Sequence, residues 1–309
     1  MSIIYIILGA VFVMWGADRF TEGAGSVARR LNVPQIVIGL TIVAMGTSMP
    51  ELSVSLASAL QGTADMAVGN VVGSNIFNVL LIVGCSAAVA PIAVSRRTVG
   101  RDLPFTMIAS LMLIAFCLNG QIERWEGLIM LAVFAGYMLY TLRVAKQSKG
   151  EEPEEEASQP LGWLMSIVWI VIGIGCLIGG SKLFVVGASA VAKSLGVSDA
   201  VIGLTIVACG TSLPELATSV VAARKGQGGL AIGNVIGSNV FNILMILGIT
   251  GTIVPLHLEG ITNIDLGTMA ASAALMWLMC RTKYLVERWE GLVMIALFAG
   301  YMGWLLMVN

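Results

Sequence analysis

The sequence contains little charge. Only 11% of its 309 residues are Asp, Glu, Lys or Arg, whereas a soluble domain carries about 25%. Because such a chain cannot solvate the surface of a free globule, the composition excludes an ordinary cytosolic enzyme and a disordered tail. The 17 basic residues nearly balance the 18 acidic ones, so the basic surface expected of a nucleic-acid binder is missing too. With 57% hydrophobic residues, the composition indicates an integral membrane protein.

Residues that bind soft metals are also scarce. The single histidine, His257, cannot build a histidine-rich site, and the five cysteines lie in apolar stretches without a C-x-x-C pair. We therefore expect free thiols that pack as small hydrophobic side chains. The sequence predicts no bound cofactor and no site for Zn²⁺ or Cu⁺.

Long apolar runs are what the chain does contain, and crossing a bilayer takes about 20 such residues. They predict an all-α integral membrane protein with ten transmembrane helices, near residues 3–28, 34–60, 66–90, 104–118, 126–143, 162–192, 199–223, 230–254, 265–280 and 289–307. The longest polar stretch has the composition of a solvated linker. The expected organisation is a first five-helix repeat at 1–145, a linker loop at 146–160 and a second five-helix repeat at 161–309.

The two halves are related by a fixed offset of 164 residues. Residues 37–78 align without gaps on residues 201–242, and 26 of these 42 positions are identical. Because each half holds an odd number of helices, the second half must enter the membrane from the opposite side. The sequence therefore predicts an inverted repeat, which is typical of transporters that bind their substrate near the bilayer midplane.

Loop charges predict how the chain is oriented. Under this topology thirteen Lys and Arg residues lie on one side of the membrane, and only Arg124 and Lys193 lie on the other. Basic residues are enriched in cytoplasmic loops. We therefore expect the linker to be cytoplasmic and both termini to lie outside.

Two carboxylates lie inside apolar spans, at Glu51 and Glu215, each within a G-T-S-x-P-E motif. A carboxylate at mid-membrane costs on the order of 2.5 kcal/mol or more, so each should face the protein interior or water. A buried structural carboxylate is the alternative, but two at matching positions of a repeat favour function.

Helical spacing places oxygen atoms around these carboxylates. Thr47 and Ser48 precede Glu51 by four and three residues and share its helix face. Pro50 has no N–H and should interrupt the helix, which would let the carbonyl of Ala44 turn towards a ligand. The second half repeats the arrangement with Thr211, Ser212, Pro214 and Ala208.

A polar stripe follows on the next helix of each half. Its members are spaced by four residues, namely Asn70, Ser74 and Asn78 in the first copy and Asn234, Ser238 and Asn242 in the second. Such residues often serve only to join neighbouring helices. Helix packing and ion contact are balanced for Asn70, Asn75, Asn234 and Asn239, whereas ligation is favoured for Ser74, Asn78, Ser238 and Asn242.

All of these groups offer oxygen, which is the ligand that hard cations such as Ca²⁺ prefer. Two carboxylates balance one Ca²⁺ or two Na⁺. A site that holds either one Ca²⁺ or two Na⁺, but not both at once, can exchange the two kinds of ion. The expected partners are Ca²⁺, Na⁺ and the lipid bilayer, with no nucleic acid and no obligatory protein partner.

The paired G-T-S-x-P-E and G-S-N-x-F-N motifs resemble the alpha repeats of the Ca²⁺/cation antiporter superfamily, specifically the prokaryotic sodium/calcium exchangers. The resemblance implies a Na⁺/Ca²⁺ antiporter of a prokaryotic inner membrane, and not an enzyme. It also implies alternating access, in which the first and sixth helices slide together across an eight-helix core. The ion ligands it implies are Thr47, Ser48, Glu51, Ser74, Asn78, Thr211, Ser212, Glu215 and Ser238, with the carbonyls of Ala44 and Ala208.

Asn242 departs from the pattern of some family members, and Asp18 and Lys182 differ between the two halves. Some members carry Asp where this chain has Asn242, and the missing acid argues against K⁺ co-transport. Asp18 and Lys182 occupy equivalent positions on the first and sixth helices with opposite charge. They are either interface charges or part of a gate between the sliding helices and the core.

Three other functions remain to be weighed. In proton-coupled cation exchange, Glu51 and Glu215 would titrate instead of binding Na⁺, but the hydroxyls beside them favour Na⁺. A channel needs a continuous pore, whereas an inverted repeat within one chain favours alternating access. An intramembrane enzyme would need a nucleophile–base pair or a histidine-based metal site, and neither accompanies the two glutamates.

Overall fold

A computed structural model describes residues 2–147, 160–196, 206, 208–258 and 260–308. The first half forms six helices: α1 (Ser2–Leu31), α2 (Gln35–Thr47), α3 (Met49–Leu60), α4 (Ala64–Val89), α5 (Thr98–Cys117) and α6 (Arg124–Gln147). The second half forms α7 (Trp163–Ser194), α8 (Ala208–Thr211), α9 (Leu213–Arg224), α10 (Gly228–Ile253), α11 (Asn263–Lys283) and α12 (Arg288–Val308). Each segment is a helix because a long apolar run in lipid must satisfy its backbone hydrogen bonds internally.

Seven of these helices are long and apolar enough to cross a membrane, and the bent pair α2–α3 makes an eighth candidate span. The span expected at 265–280 is present as the 21-residue helix α11, which is not among these eight. The span expected at 199–223 lies partly outside the described residues and is represented by α8 and α9. The structure therefore shows a mostly helical, multi-pass membrane protein.

The expected linker at 146–160 lies mostly outside the described residues. At its start, α6 continues as a helix through Gln147, two residues beyond the boundary expected from the sequence. The boundary differs by two residues because the end of a helix is set by local hydrogen bonds, which composition does not resolve.

The outer surface is apolar, as a lipid-facing surface must be. Ile3 and Leu164 are 66% and 78% exposed, although both are large hydrophobic residues. The inner helices are α4 and α10, whose apolar segments are mostly buried, whereas α1, α6, α7 and α12 expose most of theirs. The molecule thus has an interior of two central helices inside a lipid-facing shell.

Helices α1 and α7 pack closely along their length. Glycines recur every seven residues on both, at Gly9, Gly16 and Gly23 and at Gly173, Gly180 and Gly187. A Cβ atom at Gly16 would lie 2.8 Å from Cys176 Cβ, so only glycine allows this approach. The Oγ atoms of Ser26 and Ser166 add a 3.0 Å hydrogen bond between the two helices.

Two short strand pairs connect the halves, and the 164-residue offset converts one pair into the other. Strand β1 (Ile92–Ala93) pairs antiparallel with β4 (Leu285–Val286), and β2 (Gln121–Ile122) pairs antiparallel with β3 (Leu256–His257). Adding 164 to the residues of β1 and β2 gives those of β3 and β4. Strand β1 therefore pairs with the counterpart of β2, and β2 pairs with the counterpart of β1. Two related repeats that face each other would show this reciprocal pairing.

Candidate cation site

The two glutamates lie immediately after helix breaks. Helices α2 and α3 meet at Ser48 with a 47° bend. Pro50 lies in the first turn of α3, where a backbone N–H would have no partner within the helix, so the proline is tolerated there. In the second half α8 and α9 meet at Ser212, with Pro214 in the same position. The interruption expected from the two prolines is therefore present in both halves.

These breaks also explain how a carboxylate is held inside a membrane protein. Glu51 lies in the first turn of α3 and Glu215 in the first turn of α9, and each is 1% exposed. The free N–H groups at a helix N-terminus carry partial positive charge, which favours an anion within the first turn. The same break thus frees backbone groups and stabilises the acid.

Each of the two carboxylates accepts a hydrogen bond from a serine of the opposite half. Ser48 Oγ donates to Glu215 Oε1 at 2.9 Å, and Ser212 Oγ donates to Glu51 Oε1 at 2.9 Å. The serine of each half therefore binds the glutamate of the other half.

Thr47 differs from Thr211 in its surroundings. Thr47 is 1% exposed, and its Oγ1 lies 3.1 Å from the carbonyl of Val43 and 3.2 Å from Asn234 Oδ1. Thr211 is only partly buried. The carbonyl of Ala44 accepts the backbone N–H of Ser48 at 3.0 Å, and Ala208 begins α8. The ion-binding roles of both carbonyls remain predictions.

The stripe on α4 reaches the carboxylates through Ser74. Its Oγ lies 3.2 Å from the Oγ of Ser212, which in turn binds Glu51. Asn78 follows Ser74 along the same helix, and both are nearly fully buried. The structure therefore places Ser74 of α4 in contact with the serine that binds Glu51.

Asn70 and Asn234 use their amide nitrogens to join helices. Asn70 Nδ2 donates to the carbonyl of Glu51 at 3.2 Å and to Ser55 Oγ at 2.9 Å. Asn234 Nδ2 makes the same bonds, to Glu215 and to Ser219 at 3.3 and 2.9 Å. These bonds favour the helix-packing interpretation. Neither serine stood out in the sequence, although Ser55 and Ser219 are identical residues at matching positions.

Besides Asn75 Oδ1, five oxygen atoms of the predicted ion ligands are buried without a hydrogen-bond partner in the described part of the chain. They are Glu51 Oε2, Glu215 Oε2, Asn78 Oδ1, Asn242 Oδ1 and Ser238 Oγ. A buried polar atom left unpaired costs about 1–3 kcal/mol, and more when it is charged. All five are oxygen atoms, the ligands that a hard cation prefers.

Wider turns were not visible in the sequence. The backbone becomes a π-helix at Phe77–Val83 and at Phe241–Ile246, so Asn78 and Asn242 each occupy the second position of such a segment. A π-helical turn changes the direction of the side chains after it and is frequent at functional sites. The last member of the stripe in each half therefore lies in a π-helical segment, where a spacing of four residues no longer corresponds to one regular helical turn.

Two other polar residues, Asp18 and His257, have partners of their own. Asp18 forms an ion pair with Lys225, and no group of three or more His, Cys, Asp or Glu residues that could hold a metal occurs within the described ranges. His257 lies in β3, opposite Gln121. The acidic component of the candidate site is therefore the pair Glu51 and Glu215.

Comparison with known proteins agrees with this geometry. The family model described as sodium/calcium exchanger protein matches residues 1–143 and 165–307. CaxA of Alkalimonas amylolytica is 40% identical over 310 residues, covering 97% of both chains. The sodium/calcium exchanger MaX1 of Methanosarcina acetivorans is 32% identical, covering 98% of this chain and 97% of the relative.

A solved structure of the sodium-calcium exchanger NCX_Mj superposes with a TM-score of 0.86 at 31% identity, covering 98% of this chain and 97% of that one. The inner membrane protein YrbG of Escherichia coli is 32% identical, covering 98% of this chain and 95% of the relative. The family is one of transporters rather than enzymes. With matches over nearly its whole length, this chain belongs to the sodium/calcium exchanger family.

Proposed function

We propose that this protein is a secondary-active antiporter that exchanges Na⁺ for Ca²⁺ at one shared site in the middle of the membrane. The observation that carries the proposal is the set of five buried, unpaired oxygens that belong to Glu51, Glu215, Asn78, Asn242 and Ser238. Two carboxylates neutralise one Ca²⁺, and the neutral oxygens supply further ligands towards the six to eight that Ca²⁺ takes. The same groups can instead hold Na⁺, which makes the two ions competitors.

The ligand set proposed for these ions comprises the residues of both broken helices and both stripes. Its members are Thr47, Ser48, Glu51, Ser74, Asn78, Thr211, Ser212, Glu215, Ser238 and Asn242, with the carbonyls of Ala44 and Ala208. The crossed serine–glutamate bonds support a single site, because they hold side chains from both halves at one place.

We propose ten membrane spans arranged as two inverted repeats, in a prokaryotic inner membrane, with both termini outside and the linker in the cytoplasm. The exchanged strand pairs support the repeat, and the loop charges support the orientation. The glycine contacts between α1 and α7 support a rigid pair that moves as one body. Movement of this pair against the remaining helices would expose the site to each side in turn.

Proton-coupled exchange is the competing function, since the two glutamates are titratable. Proteoliposomes loaded with Na⁺ separate the two possibilities. We expect Ca²⁺ uptake to require the outward Na⁺ gradient and to stop when Na⁺ is equal on both sides. Uptake that follows a pH gradient and ignores Na⁺ would show that protons are the coupling ion.

A further inference from the structure

One amide of the site is held in a fixed orientation by a residue outside the proposed ligand set. Asn78 Nδ2 donates to Asn239 Oδ1 at 3.0 Å, and the two side chains are 1% and 2% exposed. Asn239 lies on α10, 161 residues from Asn78 along the chain. This contact therefore links the stripe of one half to the motif of the other.

The direction of this bond determines which end of Asn78 is free. An asparagine amide has a donor NH₂ group at one end and an acceptor oxygen at the other. Since Asn239 takes the NH₂ group, the oxygen of Asn78 is left over, and it is buried without a hydrogen-bond partner among the described residues. One helical turn earlier, Ser74 contacts the serine that binds Glu51. If the amide were reversed, its NH₂ group would meet a cation, which is unfavourable.

We propose that Asn239 is a positioning residue that turns the amide oxygen of Asn78 towards the transported cation. The inference rests on the proposed function and adds a determinant of Ca²⁺ affinity to it. Asn239 makes this contribution through Asn78 and is not itself a ligand.

The chain provides a matched control at the related position of the first half. Asn75 corresponds to Asn239 by the 164-residue offset and is equally buried, at 1% exposed. Its Nδ2 donates to the carbonyl of Val71 in the same helix at 2.9 Å. Its Oδ1 is buried without a hydrogen-bond partner among the described residues, so Asn75→Ala removes a bond within α4 and an acceptor oxygen, but no bond to Asn78.

The first test is Asn239→Ala beside Asn75→Ala, with the KM for Ca²⁺ measured in proteoliposomes and Ca²⁺ binding measured by calorimetry on purified protein. A hydrogen bond contributes about 0.5–1.5 kcal/mol net, so we expect Asn239→Ala to weaken Ca²⁺ binding about 2- to 13-fold. The maximal rate should change less than the KM. An unchanged Ca²⁺ affinity in Asn239→Ala would overturn the proposal.

The second test asks whether the effect passes through Asn78. In an Asn78→Ala background, Asn239→Ala should cause no further loss of affinity, because there is no longer an amide to orient. Additive losses would contradict the proposal. Asn239→Asp has nearly the same size and keeps an acceptor oxygen, so it should bind Ca²⁺ at least as tightly as the parent protein. A loss as large as that of Asn239→Ala would also contradict it.

These outcomes are distinct from a failure of the proposed function. A parent protein that exchanges Ca²⁺ for Na⁺ while Asn239→Ala binds Ca²⁺ normally removes the positioning role alone. A parent protein that neither binds nor transports Ca²⁺ removes the proposed function, and the positioning role with it.

Discussion

Lys225 Nζ lies 2.7 Å from Asp18 Oδ1 and also donates to the Asp18 carbonyl at 2.8 Å. A third contact, to Thr21 Oγ1 at 3.2 Å, completes the attachment of α1 to the residue that follows α9. The 164-residue offset relates Asp18 to Lys182 and Lys225 to Gln61, which cannot form an ion pair. The attachment therefore stabilises α1 on one side of the molecule only.

Removal of this ion pair should shift the balance between the two access states. If α1 and α7 move against the other helices, the pair must break, so Asp18→Asn destabilises the described state relative to the other. Because both side chains are about one-third exposed, we expect an effect below about 1 kcal/mol, or up to about fivefold. The measurement is the KM for Ca²⁺ from each side of oriented vesicles, which should change in opposite directions.

Lys182→Gln is the matched control, since this lysine occupies the position related to Asp18. High salt should reduce the difference between Asp18→Asn and the parent protein, because partly exposed pairs are screened. Parallel changes in KM from both sides would show that the ion pair does not distinguish the two states.

Neutralising either glutamate should abolish transport. Glu51→Gln or Glu215→Gln leaves one carboxylate to balance a buried divalent cation, and loss of one partner of a buried charge pair costs about 3–5 kcal/mol. We therefore expect Ca²⁺ affinity to fall by about 100-fold or more, as measured by calorimetry and by uptake into Na⁺-loaded vesicles.

Glu126→Gln controls for the loss of a buried carboxylate elsewhere. Glu126 is 4% exposed, and its Oε2 accepts the backbone N–H of Glu123, which an amide oxygen can also do. This variant should retain transport. Normal Ca²⁺ uptake by either Glu51→Gln or Glu215→Gln would remove the central role of the two carboxylates.

A larger side chain at the helix contact should separate α1 from α7. A Cβ atom at Gly180 would lie 2.9 Å from the carbonyl of Gly9, so Gly180→Leu forces the helices apart. Overpacking of this kind costs about 1–3 kcal/mol. Gly175→Leu is the control, because Gly175 is an exposed position of the same helix. The melting temperature in detergent should fall for Gly180→Leu and stay unchanged for Gly175→Leu; equal melting temperatures would argue against a close-packed pair.

Potassium should have no effect on exchange. Asn242 is neutral, and its Oδ1 is one of the five unpaired oxygens, so the site has only the two carboxylates to balance charge. Ca²⁺ uptake should therefore proceed at the same rate in media containing K⁺ or an equal concentration of choline. Uptake that requires K⁺ would show that a third acid is not needed to bind it.

Much of the site could be predicted because its chemistry is local. A carboxylate in an apolar run is costly wherever the chain places it, and a proline cannot make its helix hydrogen bond. Glu51 and the break beside Pro50 followed from these two facts alone. The fixed offset then identified the second copy, so both halves of the site were available from the sequence.

The partners of these residues could not be predicted, because they depend on contacts between distant parts of the chain. Helical spacing placed Ser48 beside Glu51, yet its hydroxyl binds Glu215. Similarly, Asn239 was balanced between packing and ion contact, and its bond to Asn78 is visible only in the folded chain. The π-helical segments were missed because no Gly or Pro signal within them marks a wider turn.

The scarcity of charge thus indicated, by itself, that this protein is embedded in a membrane and that Glu51 and Glu215 are the carboxylates of the candidate site. The sequence could do so because the cost of burying a carboxylate depends on the residue and its apolar surroundings. Only the tertiary structure decided that Ser48 and Ser212 bind the glutamates of opposite halves, and that Asp18 pairs with Lys225. Those contacts depend on how two halves, 164 residues apart, pack around a common centre, and local sequence carries no record of that geometry.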